Sequence, residues 1–162
     1  MTAQQSSSNK SNSDEAFINA LISIVGAKQV LTVASQTEFY RTGFRAGGGV
    51  ALAVVFPKTL LEQWYLIKQC VENNKIIIMQ AANTGLTAGS TPYGDDYDRD
   101  IVIINTTKLT DLILLDEIGS DALANTEKSY QVLSFAGATL HSLEKKLAPL
   151  AREPHSVIGS TC

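Results

Sequence analysis

Six apolar residues in succession, Ala51-Leu52-Ala53-Val54-Val55-Phe56, stopped by Pro57, constrain this chain more than any other stretch. A strand with one wet face alternates polar and apolar residues. An unbroken run fits a strand covered on both faces, so the sheet that holds it needs helices or loops packed on each side. Thr59-Leu60-Leu61-Glu62 then has capping-box spacing, a hydroxyl followed three residues later by a carboxylate, and opens a helix that ends near Glu72. Leu60, Trp64, Ile67 and Val71 are the expected buried stripe, with Cys70 beside it as a core residue and not a nucleophile. Asn73-Asn74 ends the helix, and residues 75–80 form a second strand. Strand, helix and strand with short joints predict a right-handed crossover and a parallel pair.

Residues 76–92 carry the main functional signal. Aliphatic residues Ile76, Ile77 and Ile78 lead into small ones: Ala81, Ala82, Asn83, Thr84 and Gly85, then Ala88, Gly89, Ser90 and Thr91. Small side chains let a ligand approach the main chain, glycine permits positive φ, and successive amides can converge on an anion such as a pyrophosphate. The same composition also describes a surface loop rich in turn formers.

Around this centre the chain divides into three parts. Residues 1–13 are polar and low in complexity, and are expected to form a disordered tail. Residues 14–46 form an N-terminal helical extension, with Phe17, Ala20, Leu21 and Ile24 at helical spacing and Ser13 or Asp14 as its cap. From Val30 onward the pattern breaks down, and Gly47-Gly48-Gly49 is expected to act as a hinge into the main domain, residues 47–162. A phosphate loop there would need a following Lys-Ser/Thr, which is absent. Further strands are expected at residues 101–104, 112–115 and 130–135, with a polar connection over 116–128. A last helix carries Leu140, Leu143, Leu147 and Leu150, with His141 at its surface. The chain stops at Cys162 among small residues, which suggests truncation.

Several function classes are disfavoured. The net charge of −3, without a dense basic cluster, gives no electrostatic support for nucleic acid or a polybasic membrane contact. No apolar run approaches the roughly 18 residues of a membrane span, and the N-terminus lacks the regions of a signal peptide. Two histidines and two cysteines, none at zinc-ligand spacing, predict no metal site. Asp96, Asp98 and Asp100 alternate as in a calcium loop, but Ile101 and Thr107 stand where glycine and glutamate are required. A solvated turn neutralised by Arg99 is expected instead. The dinucleotide fingerprint and the nucleophile elbow are both absent.

Three segments resemble the N-terminal FAD-binding part of the vanillyl-alcohol-oxidase/PCMH-type flavoproteins: Ala53-Val54-Val55-Phe56-Pro57-Lys58-Thr59, Ile77-Ile78-Met79-Gln80-Ala81-Ala82-Asn83-Thr84-Gly85-Leu86-Thr87, and Arg152-Glu153-Pro154-His155-Ser156-Val157-Ile158-Gly159-Ser160. The resemblance runs from about Asp14 to Cys162 and implies an α/β (α+β) subdomain, a small mixed or parallel sheet flanked by helices and preceded by an N-terminal helix. It implies that main-chain amides of Ala81, Ala82, Asn83, Thr84 and Gly85 wrap the FAD pyrophosphate, that Gly89 and Ser90 continue the cradle, and that Gly159 adds a contact. Most family members have a more glycine-rich first loop; Ala81-Ala82-Asn83 is similar instead to the subgroup that oxidises D-lactate and passes electrons to a quinone. That subgroup is peripheral to the cytoplasmic side of the bacterial inner membrane. Some members attach flavin through a histidine in this loop; none lies between Ile76 and Pro92, so non-covalent FAD is expected. No catalytic residue is expected in this segment, which is then inactive alone and inclined to self-associate through bare apolar surface. The competing reading is a non-catalytic α/β module that binds phosphate or a nucleotide.

Overall fold

The computed structural model describes residues 2–115, 131–150 and 153–154, with side chains from Asn12 onward. It comprises two compact units, Met1–Lys108 and Leu109–Cys162.

The first unit is built on strand β6, Ile101–Asn105, whose five residues are all buried. β6 pairs in parallel with β3, Ala53–Val55, on one side and with β4, Ile76–Gln80, on the other. The short β1, Val30–Leu31, adds antiparallel to β3, so the sheet order is β1-β3-β6-β4. The two strands of the expected crossover are therefore both parallel to β6 but not neighbours. β6 fills the place between them and arrives later in the chain than either.

The alternation along β3 and β6 sorts the core into two layers, because successive side chains point to opposite faces. Ala53, Val55, Val102 and Ile104 pack with Phe17, Leu21 and Val25 of helix α1, Thr2–Val25, and with Leu66 and Cys70 of helix α3, Leu60–Glu72. Val54, Phe56, Ile101 and Ile103 form the other face, with Leu31 and Tyr40 packed against them. Tyr40 belongs to helix α2, Ala34–Arg41, and its ring meets Phe56 edge-on with centroids 5.1 Å apart. Burial on both faces is what the unbroken run at residues 51–56 implied. The segment after Val30, which shows no periodicity, supplies β1 and α2, elements too short to leave one.

α1 includes residues 2–13, where a disordered tail is expected from composition. The packing face begins at Phe17, and once that part of the helix is anchored, each further residue adds a backbone hydrogen bond without a new nucleus.

Thr59 caps α3 as expected, its hydroxyl accepting from the Glu62 amide at 3.1 Å, while the Glu62 carboxylate accepts from the Lys58 amide at 2.6 Å. The buried face of α3 differs from the expected one. Leu66 and Cys70 are buried and Ile67 packs beside them, whereas Leu60, Trp64 and Val71 lie exposed, Trp64 at 62%. Burial pushes the Cys70 thiol up to about 11, with nearby Lys75 acting in the opposite direction, which agrees with an inert core residue.

Lys75 joins α1 to the strand starts. Its ammonium donates to Asp14 at 2.9 Å and Asp100 at 2.7 Å and lies 5.2 Å from the centre of the Phe17 ring. Burial works to lower its pKa, but the hydrogen bonds and charges of Asp100 and Asp14 outweigh this and hold it above the ordinary lysine value. Asp100 is thus engaged by Lys75, while Arg99 pairs with Asp98 at 3.1 Å. Among the described residues no cluster could hold a metal ion, and no helix is long and apolar enough to cross a membrane.

In the second unit β7, Leu112–Leu114, and β8, Val132–Ser134, form an antiparallel pair. They precede helix α4, Leu140–Leu147, which opens with a capping box between Thr139 and Ser142. Leu147 is buried in α4 and His141 is exposed. The polar connection over residues 116–128 lies outside the described residues.

The two faces of α3 can be told apart by mutation. Leu66→Ala is expected to cost about 2–5 kcal/mol and Trp64→Ala to stay within about 0.5 kcal/mol, measured by chemical denaturation. Equal losses would show that Trp64 is buried.

Candidate cofactor-binding loop

Parallel strands that end together leave a crevice beyond their carboxyl ends, where open α/β sheets hold ligands. β4 and β6 end on the register pair Gln80 and Asn105, and residues 81–92 leave the sheet at that edge. Gln80 and Asn105 are polar but only 2% and 1% exposed, so their amides must find partners inside the protein. Gln80 Nε2 donates to the carbonyls of Tyr40 at 2.6 Å and Ser90 at 2.8 Å. Its Oε1 accepts from Asn105 Nδ2 at 2.9 Å, and that nitrogen also lies 3.1 Å from the carbonyl of Ala81.

The loop is further fixed by its own side chains. Asn83 takes a left-handed conformation, φ 57°, as asparagine tolerates. Its Nδ2 donates to the Thr42 carbonyl at 2.9 Å, and its Oδ1 accepts from Ser90 Oγ at 2.9 Å. Ala88 has φ 58°, a conformation that costs an alanine about 1–2 kcal/mol and persists where surrounding structure enforces it.

That structure is the glycine segment. Gly48–Gly49 form strand β2, parallel to β5, Tyr93–Gly94, and the Gly48 amide donates to the Pro92 carbonyl at 2.8 Å. Arg41 Nη1 donates to the Gly49 carbonyl at 2.8 Å. A Cβ on Gly47 would stand 2.4 Å from Thr91 Oγ1 and 2.9 Å from Ala88 Cβ, and one on Gly49 would stand 2.4 Å from the Gly94 carbonyl oxygen. The glycine segment is therefore packed against its neighbour and is not a hinge. At Gly47 and Gly49 the missing side chains let two backbone segments lie against each other, and Gly47 also needs its φ of 89°.

Ala81, Ala82, Thr84, Gly85 and Gly89 are exposed, and Asn83 and Ser90 are half-buried. The amides of Ala82, Asn83, Gly85, Gly89 and Ser90 donate to no described residue. These residues, with Ala81 and Thr84, are the ones the sequence pointed to, and the structure brings them together in one loop. Gly159 lies outside the described residues. Gln80, Asn105 and Arg41 were missed as contributors. The available signal was an amide residue ending each of two aliphatic runs, Ile76-Ile77-Ile78-Met79 and Ile101-Val102-Ile103-Ile104.

The fold is shared with solved structures. Over 85% of this chain and 25% of the other, p-cresol methylhydroxylase with substrate bound superposes with a TM-score of 0.63 at 18% identity. Alkyldihydroxyacetonephosphate synthase superposes over 83% of this chain and 25% of the other, with a TM-score of 0.65 at 14% identity. These superpositions show a shared fold. In sequence the chain is similar to curated quinone-dependent D-lactate dehydrogenases. It is 54% identical to that of Escherichia coli K12 over 156 residues, covering 96% of this chain and 25% of the relative. It is 51% identical to that of Haemophilus influenzae over 146 residues, covering 90% and 24%. The chain thus spans about a quarter of the length of the curated relatives it matches. No protein-family model matches it.

Close packing of the glycine segment on the loop predicts a specific sensitivity. Gly47→Ala must both hold alanine at φ 89° and displace Thr91, so it should destabilise the protein by about 1–3 kcal/mol. Hydrogen exchange in residues 83–91 should rise with it; unchanged stability and exchange would show that the two segments are not held together.

Proposed function

We propose that residues 81–90 hold the pyrophosphate of non-covalently bound FAD through main-chain amides, as part of an enzyme that oxidises D-lactate to pyruvate and passes the electrons to a membrane quinone. The observation that carries this is the 54% identity to a quinone-dependent D-lactate dehydrogenase over 96% of the chain. The amides of Ala82, Asn83, Gly85, Gly89 and Ser90, which donate to no described residue, lie on a loop of small residues at the carboxyl edge of the sheet and fit a diphosphate. Ala81 and Thr84 belong to the same cradle, and Gly159 is proposed as a further contact on sequence grounds alone. No histidine occurs between Ile76 and Pro92 to form a covalent link.

Bound FAD supplies the two-electron chemistry, and the protein supplies binding, orientation and electrostatics. This chain's residues position the diphosphate and keep the loop rigid; none is assigned a catalytic role. Association of the enzyme with the cytoplasmic face of the inner membrane belongs to the same proposal; the quinone named in the relatives supports a membrane partner, and the face rests on the family resemblance alone.

Self-association of this chain is also proposed. Leu60, Leu61, Trp64, Tyr65 and Val71 are exposed on α3, and a groove of about 480 Å³ between α1 and α3 is lined by Ser23, Ile24, Thr59, Leu61, Glu62 and Tyr65. Exposed apolar side chains grouped on one helix favour burial against another surface.

Titration of the 162-residue chain with FAD, followed by quenching of flavin fluorescence, should show saturable binding that ADP displaces. Binding of ADP with indifference to flavin would favour a nucleotide module instead, and binding of neither would refute the cradle. In sedimentation velocity, association should increase with concentration and weaken in Trp64→Lys. A monomer at every concentration would remove the self-association proposal.

A further inference from the structure

We propose that Gln80 and Asn105 are positioning residues: a one-way relay of side-chain amides that holds the loop in its binding shape before a ligand arrives. This rests on residues 81–90 being the pyrophosphate cradle.

The direction of the relay follows from what surrounds it. The carbonyls of Tyr40 and Ser90 can only accept, and both lie within hydrogen-bond reach of one end of the Gln80 amide. That end must be the NH₂ group, since an oxygen there would face two other oxygens in a buried site. Oε1 is thereby turned toward Asn105, which must present its own NH₂ group. The other end of the Asn105 amide accepts from the Thr107 amide at 3.1 Å and from the Thr107 hydroxyl. Main-chain groups fix the polarity at both ends, and neither side chain can turn over alone.

The relay shapes the loop in three places. The bond to Ser90 closes its base, joining residues ten apart in sequence. The bond to Tyr40 ties that base to the end of α2. The bond from Asn105 to the Ala81 carbonyl fixes the first peptide of the loop. In a planar trans peptide the C=O and N–H point in opposite directions. Turning the Ala81 carbonyl in toward Asn105 therefore turns the Ala82 N–H away from the sheet, toward the cradle side. Two buried amides thus orient a donor that neither of them touches.

Two near-isosteric substitutions test this. Gln80→Met removes every polar atom of the relay at its hub. Asn105→Asp keeps size and the bond from Thr107 but removes the donor to Gln80 and Ala81, so Gln80 must either lose a partner or turn its oxygen toward two carbonyls. On the unliganded 162-residue chain, hydrogen exchange of residues 82–90 should accelerate about tenfold or more in both variants, while residues 53–55 and 101–104 keep their protection. Affinity for FAD and for ADP should fall about tenfold or more. Unchanged loop exchange in both variants would overturn the relay. Faster exchange with undiminished affinity would show that the relay does not set the binding shape, and would overturn the positioning role. If the wild-type chain binds neither FAD nor ADP, the cofactor assignment fails instead, and with it the positioning role, while the exchange measurement still decides whether the relay holds the loop.

Discussion

Placing a wholly buried strand between two others fixes the rest of the first unit. β6 has no wet face and no free edge; its neighbours β3 and β4 both run parallel to it, and both layers of side chains must be covered. α1 and α3 cover one layer; Leu31 and Tyr40, brought in by β1 and α2, cover part of the other. Parallel strands in register also finish together. Gln80 and Asn105 therefore meet as a pair at the carboxyl edge, in a place too dry for either amide to be satisfied by water. The polar network under the loop is a consequence of how deeply β6 is buried.

Much of this was legible in sequence because it was local. The unbroken run ending at Phe56 gave β3, the Thr59 and Glu62 pair gave the start of α3, and the small residues after Gln80 gave the loop. The insertion of β6 was not legible, because the same strand-helix-strand spacing serves strands side by side or one apart. The choice is made by residues 101–105, far along the chain. The face of α3 was misjudged for a different reason. Leu60, Leu61, Trp64, Tyr65, Leu66, Ile67, Cys70 and Val71 surround the helix, so a stripe of correct period can be drawn on more than one side. Only packing against α1 and the sheet selects Leu66 and Cys70.

The glycine run shows the same limit in backbone terms. Three successive glycines permit motion, and they equally permit contact, and the sequence does not say which is used. Here the partner is the segment at Thr91, Pro92 and Gly94, which closes on Gly47 and Gly49 more tightly than any Cβ would allow. A residue chosen for what it lacks can be interpreted only when its neighbour is known.

On the proposed reading of residues 81–90, recognition through the main chain also fits the contrast between fold and sequence likeness. Superposition on p-cresol methylhydroxylase reaches a TM-score of 0.63 at 18% identity. An amide N–H is the same donor in every residue but proline, so a cradle built from amides constrains the path of the chain far more than the identity of its side chains. What such a cradle requires is support that holds the path. In this chain the support is specific: a left-handed Asn83 bonded on both sides, a strained Ala88 held against Gly47, and buried amides whose polarity is dictated from either end. The side chains that matter most to the loop are thus behind it, and they act by deciding which way its peptides face.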